Sequence, residues 1–168
     1  MNYFRLAALS ALLCCAVQAA TAADYKPTVD DWVGVNAAVD NYAMGLDLHN
    51  QAIFDKAFWP EAMVVMKPEP GKVIKLPYRA AQEPATPPKG RKANVIGTDI
   101  PPWHLQLSHH FEFQSATHAT HYGMFLSVYP DLKTKITTVG LPGHYEDILE
   151  KRNGEWRILQ RTTVIGAK

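Results

Sequence analysis

The chain is expected to fold as one α+β domain, on three observations. Helical periodicity is confined to the stretch from Thr28 to Phe58, the stretch from Ser108 to Val164 reads as a run of antiparallel strands, and a proline-rich segment separates the two. Helices gathered at one end of a chain with strands after them bury their apolar stripes by laying a long helix across a curved, mostly antiparallel sheet.

Residues 1–22 read as a secretory leader. Met1 to Arg5 is a weakly positive start, Leu6 to Val17 is an apolar run shorter than the roughly 20 residues of a spanning helix, and Ala20-Thr21-Ala22 is a small-x-small cleavage site. A periplasmic or secreted protein follows, with Ala23 near the mature start and no membrane association after cleavage; a retained anchor is the alternative. Both cysteines, Cys14 and Cys15, lie in this leader, so neither disulfides nor thiol chemistry are expected of residues 23–168. Those 146 residues suffice for one domain with a sizeable core.

Thr28 starts the first helix, with Asp31 three residues on in a capping-box arrangement. Trp32, Val35, Val39, Tyr42, Ala43 and Leu46 recur at helical spacing, giving an amphipathic helix of roughly five turns. Asn50 caps a second, short helix carrying Ile53, Phe54, Ala57 and Phe58, which Trp59-Pro60 stops because proline cannot continue the ladder. Ala62 to Met66 reads as a buried strand. From Lys67 the composition turns to proline, glycine, lysine and alanine, with six prolines up to Lys92; an insertion near 67–93 is expected as surface loop, with a brief strand at Lys72 to Leu76. Asn94 to Leu107 is ambiguous, with Pro101-Pro102 a candidate start for a helical turn through Trp103. Further on, Asn153-Gly154 tolerates the positive φ values of a tight I′ turn, so its flanks pair and bring Tyr145, Asp147, Trp156 and Arg161 onto one sheet.

Without the leader the chain has 16 basic and 16 acidic side chains, no basic stripe and no acidic tail, which argues against nucleic acid as a partner. No phosphate loop, dinucleotide fingerprint, nucleophile elbow or zinc-protease helix is present. Seven histidines raise the question of a metal. His118 and His121 fall on opposite faces of a strand; His109 and His121 could meet across adjacent strands, but no third ligand is evident, so no metal and no cofactor are expected.

Several segments together resemble SnoaL-like domains of the NTF2-like superfamily, which includes scytalone dehydratase. They are Tyr42-Ala43-Met44-Gly45-Leu46-Asp47 with Phe54 and Phe58-Trp59-Pro60-Glu61-Ala62, then Ser108-His109-His110-Phe111, then Gly143-His144-Tyr145-Glu146-Asp147, and finally Asn153-Gly154-Glu155-Trp156-Arg157-Ile158 with Arg161. The resemblance covers most of residues 23–168 apart from the proline-rich segment. It implies a cone-shaped barrel whose bent sheet wraps the long helix around a deep, mostly apolar pocket. In catalytic relatives a tyrosine and an aspartate of the first helix face a histidine of the central sheet; these roles map onto Tyr42, Asp47 and His109, with His121 as a second pocket histidine and Tyr145 at a polar lining position. Phe113 departs from the asparagine common there.

The residues themselves allow this chemistry. His109, Phe111 and Phe113 share one strand face, a pocket wall, and His110, Glu112 and Gln114 the other. An aspartate bonded to one imidazole nitrogen would fix the tautomer and raise the histidine pKa, poising it as a general acid or base. Tyr42 and Asp47, five residues apart, are offset by some 140° and line one cavity only if Asp47 sits at the helix end. Duller readings stand beside these: His109 as a satisfied core histidine, Asp47 as a cap, Tyr42 as core aromatic surface, Asp147 and Arg161 as a structural pair across the last hairpin. The expectation is a protein binding a small apolar or aromatic molecule through Phe111, Phe113, Tyr145 and Trp156, with lyase or isomerase chemistry by Asp47, His109, Tyr42 and His121. The alternative is a non-catalytic ligand-binding or assembly module. The open face of such a sheet also suits a homodimer.

Overall fold

A computed structural model of the chain describes residues 25–81, 102–131 and 133–166. The expected leader and the part of the proline-rich segment after Ala81 lie outside the described residues. Helix α1 (Val29–Asp47) and helix α2 (Gln51–Ala57) come first. Strand β1 (Phe58–Glu69), strand β2 (Lys72–Pro77), a one-turn helix α3 (Tyr78–Ala81) and strands β3 (Trp103–Phe113), β4 (His118–Asp131), β5 (Ile136–Arg152) and β6 (Glu155–Ile165) follow. The six strands form one mixed sheet in the order β2-β1-β6-β5-β4-β3. Only β1 and β6 run parallel; the other neighbours are antiparallel. Among the described residues the sheet is open, with β2 and β3 as edges, so the barrel expected from the resemblance does not close there.

The capping box forms as read: the Asp31 amide donates to Thr28 Oγ1, and the Thr28 amide donates to the Asp31 carboxylate. Asn50 caps α2 through Oδ1. The α1 residues Val35, Ala38, Val39, Tyr42 and Ala43 are buried, and α1 packs across β6 and against β3. Tyr42 meets Phe54, Phe58 and Tyr145 in an aromatic core closed by Tyr78, which stacks on Phe58 at 4.8 Å. Each such side chain contributes on the order of 2 kcal/mol by leaving water. At the last turn, Asn153 and Gly154 have φ of 51° and 87°, as a type I′ hairpin requires.

Three local expectations are corrected. Phe58 opens β1 instead of ending α2, and Pro60 lies inside that strand, where the register with β6 shifts between Phe58 and Met63 because proline has no amide to offer. The stretch from residue 67 to 81 is less loop than expected: β1 continues to Glu69 and turns back at Pro70-Gly71, Gly71 taking a φ of 80°, into β2, which is the brief strand expected at Lys72 to Leu76. No helical turn passes through Trp103, which begins β3 paired with Val128; sheet pairing overrides a proline signal that only bars extension of the ladder beyond it. Among the described residues no helix is long and apolar enough to cross a membrane.

Candidate functional site

Strand register builds the site. On the concave face, cross-strand pairing sets Phe111, His121, Asp147, Arg161 and Val64 in one row running from β3 to β1. Side chains of one row lie about 5 Å apart, within reach of each other. Arg161 is fully buried and donates from Nε to Asp147 Oδ1 at 2.8 Å and from Nη2 to Oδ2 at 2.6 Å. The same Oδ2 lies 2.8 Å from His121 Nδ1, and His121 Nε2 lies 2.9 Å from His109 Nδ1. His121, Asp147 and Arg161 are sealed from water, whereas His109, on the edge strand, is exposed.

The charges follow from this packing. Burial pushes the Asp147 carboxyl upward, but the Arg161 guanidinium and the bonds from Arg161 and His121 outweigh it and hold the group below the usual carboxylate range. Burial likewise works against the Arg161 cation, and Asp147 more than compensates. Arg161 is further clamped between the faces of Tyr42 and Tyr145, 3.9 and 4.1 Å from their ring centres. With Asp147 ionised, His121 must donate from Nδ1, which leaves Nε2 to accept from His109 Nδ1–H. The unprotonated nitrogen of His109 is then Nε2, at the exposed end of the hydrogen-bonded chain. Partial withdrawal from water and the neighbouring His121 both lower the His109 pKa, so the ring is neutral near pH 7.

Gly123 makes room for the imidazole pair. A Cβ there would lie 2.5 Å from His121 Cε1, 2.6 Å from its Nε2 and 3.4 Å from His109 Nδ1. Gly123→Ala is therefore expected to push the His121 ring aside, separate it from His109 and destabilise the fold by about 1–3 kcal/mol through overpacking. Histidine ¹⁵N spectra of the variant check this: an unchanged His109–His121 coupling would contradict it.

The expected dyad of Asp47 and His109 does not form. Asp47 instead accepts from the His104 amide at 2.9 Å and bonds His104 Nδ1 at 2.7 Å, tying the end of α1 to the start of β3. The aspartate that serves His109 is Asp147, through His121. Tyr42 is buried, its hydroxyl bonded to that of Tyr145, so it lies within the core and supports Arg161. Tyr145 is also buried, stacked on Phe125 at 4.3 Å. Trp156 is a core residue whose Nε1 donates to Asp31. Phe111 stacks on His121 at 4.7 Å, and Phe113 packs on Trp32 and Trp156. Beyond Tyr145 the concave face continues into a groove of about 390 Å³ lined by Phe125, Ser127, Tyr129, Val139, Gly140 and Leu141. Among the described residues no group of three His, Cys, Asp or Glu side chains is arranged to hold a metal. Two participants escaped sequence reasoning. His104 falls in the ambiguous stretch before Ser108, and the one signal that could point to Gly123 is that a glycine inside a strand often marks a close approach.

No protein-family model and no curated protein sequence matches the chain, so the likeness to known proteins is structural. The hexachlorocyclohexane dehydrochlorinase LinA-type3 of Novosphingobium barchaimii LL02 superposes with a TM-score of 0.58 at 16% identity, covering 81% of this chain and 86% of that one. A candidate scytalone dehydratase of Novosphingobium aromaticivorans DSM 12444 gives 0.56 at 18% identity, with 81% and 84% covered. An NTF2-like protein with a cystatin-like fold from Novosphingobium aromaticivorans gives 0.61 at 11% identity, with 81% and 82% covered. The open mixed sheet wrapped on α1 is therefore the NTF2-like, cystatin-like fold.

Proposed function

We propose that the protein is an exported, cofactor-independent lyase or isomerase for a small apolar or aromatic molecule, with His109 as its general base. The observation that carries this is the hydrogen-bonded chain from exposed His109 through buried His121 to the Asp147–Arg161 pair. His109 Nε2 would take a proton from a carbon beside a carbonyl or leaving group. The C–H electrons become the new double bond as the leaving group departs or the existing double bond migrates. The resulting imidazolium is stabilised through His121 by the Asp147 carboxylate, and its proton returns to a leaving hydroxide, giving water, or to the far carbon. Two structural neighbours are eliminating enzymes by description, a dehydrochlorinase and a candidate dehydratase, which supports this class. Export rests on the leader sequence. Dimerisation through the outer sheet face is part of the same reading, supported by exposed Tyr122, Met124 and Ile148 among polar neighbours such as Glu112 and Glu146.

The reading has a direct test. With 3-cyclohexen-1-one in D₂O, the wild-type protein is expected to accelerate α-proton exchange or double-bond migration, and His109→Ala is expected to abolish the acceleration; an unimpaired variant would sink the assignment. Because His109 acts in its neutral form, the rate should rise with pH through its lowered pKa, below the ordinary value of about 6.5, and level off by neutrality. A rate that instead falls over that range would make His109 an acid. The binding-module reading has one observation in its favour. The Tyr42 and Tyr145 hydroxyls bond each other inside the core, so neither is presented as the acid that would polarise a carbonyl. Ligand binding without any exchange would select that reading.

A further inference from the structure

Among the described residues, three buried side-chain polar atoms have no hydrogen-bond partner: Gln106 Oε1, Arg161 Nη1 and Thr163 Oγ1. Buried polar atoms in folded proteins are nearly always paired, so each calls for an explanation. Arg161 and Thr163 are themselves buried residues, out of a ligand's reach. Gln106 differs: it belongs to the edge strand β3, is only partly buried as a residue, and carries an orphaned oxygen.

Its position ties it to the site. His104 bonds Asp47 of α1 and so faces inward; two residues on, Gln106 takes the same face. A bulge between Gln106 and Ser108 then resets the alternation, so that His109 faces inward as well. Across the strands Gln106 pairs with Phe125, which lines the 390 Å³ groove and stacks on Tyr145. The bulge thus sets an amide acceptor and an imidazole base on one wall, on either side of a single backbone irregularity, with an apolar aromatic surface adjoining the acceptor.

We propose that Gln106 selects the ligand: its carboxamide oxygen accepts a hydrogen bond from a hydroxyl or N–H on the bound molecule, while the apolar body lies against Phe125 and the reacting carbon meets His109. The inference rests on the concave face being a ligand site, and it narrows the ligand class to compact aromatic or apolar molecules that carry a donor, such as phenols and enols. A methyl ether of the same skeleton leaves the acceptor unpaired and is discriminated against.

Fluorescence titration of the full chain with 2-naphthol and 2-methoxynaphthalene tests this. The wild-type protein is expected to prefer 2-naphthol about tenfold, the effect of one net hydrogen bond. Gln106→Met, which keeps the length and apolar bulk of the side chain, should erase the preference by weakening 2-naphthol alone, and should not lower the Tm because the buried oxygen that goes with the carboxamide has no partner. Equal affinity for the two probes in the wild type, a preference retained in Gln106→Met, or no binding of either probe would overturn the proposal. Failure of the His109 mechanism reads out separately: exchange of 3-cyclohexen-1-one would survive His109→Ala while the naphthol preference stood.

Discussion

Arg161→Met is expected to destabilise the protein by about 3–5 kcal/mol, because it strands the Asp147 carboxylate in a site sealed from water. Both partners are fully buried, and the guanidinium supplies two of the bonds that keep Asp147 ionised. The double variant Arg161→Met with Asp147→Leu removes the orphaned charge too, and its stability should recover part of the way to wild type. Activity should not recover, since His121 would then have no carboxylate to fix its tautomer. The pH dependence carries a sign. In the wild type the Asp147 pKa is lowered on folding, so its stabilisation is present above the unfolded carboxylate pKa and lost as pH falls through the folded value. In Arg161→Met the carboxyl pKa rises above the unfolded value, so the deficit relative to wild type should shrink as the medium is acidified. Chemical denaturation of the three proteins at pH 7 and pH 5 measures this, and a deficit that grows toward acid would contradict it.

Asp31→Ala is expected to lower stability by about 3 kcal/mol, the second largest effect. This one carboxylate joins three parts of the fold. Oδ2 accepts from the Tyr25 hydroxyl at 2.6 Å, the Thr28 hydroxyl at 2.7 Å and the Thr28 amide at 2.9 Å. Oδ1 accepts from Lys151 Nζ at 2.8 Å and Trp156 Nε1 at 3.1 Å. Truncation removes the capping box and leaves the buried indole N–H without its acceptor. Burial alone would raise the Asp31 pKa, but the bonds from Lys151, Tyr25 and Thr28 outweigh it and depress the group far below the ordinary carboxylate value. Its contribution is therefore complete above the unfolded pKa of about 3.9 and declines as pH falls toward the depressed folded value. The difference in Tm between wild type and Asp31→Ala should be largest near neutrality and narrow below about pH 4. A constant difference across that range would mean that the charge of Asp31 is not what holds α1 to the last hairpin.

Much of this could be read from the chain, and the limits are physical. The Thr28–Asp31 box, the Asn50 cap and the Asn153-Gly154 turn are local, set by side chains reaching a few residues, and each is found where it was expected. The shared face of His109, Phe111 and Phe113 follows from strand alternation and is also found. The partners of those residues are not local. A regular two-residue turn at Asn153-Gly154 would set Asp147 opposite Gln160. A register shift between Ile148 and Leu149 brings Arg161 there instead, and that shift creates the buried pair. Asp47 meets His104 and not His109 because the end of α1 reaches only the start of β3, and His109 lies five residues farther along that strand. Bulges carry no strong signal in one sequence, so the residue types of the site were legible while the wiring between them was not.

The central claim is that His109 is a neutral base whose tautomer is fixed from within by His121, Asp147 and Arg161. It is tested most directly by ¹⁵N NMR of protein labelled at histidine, recorded at pH 7. The expected spectrum has His121 protonated at Nδ1, with that proton shifted downfield by its bond to the Asp147 carboxylate, and His109 protonated at Nδ1 with a bare Nε2. Finding His109 as the Nε2–H tautomer, or as an imidazolium at pH 7, would contradict the claim.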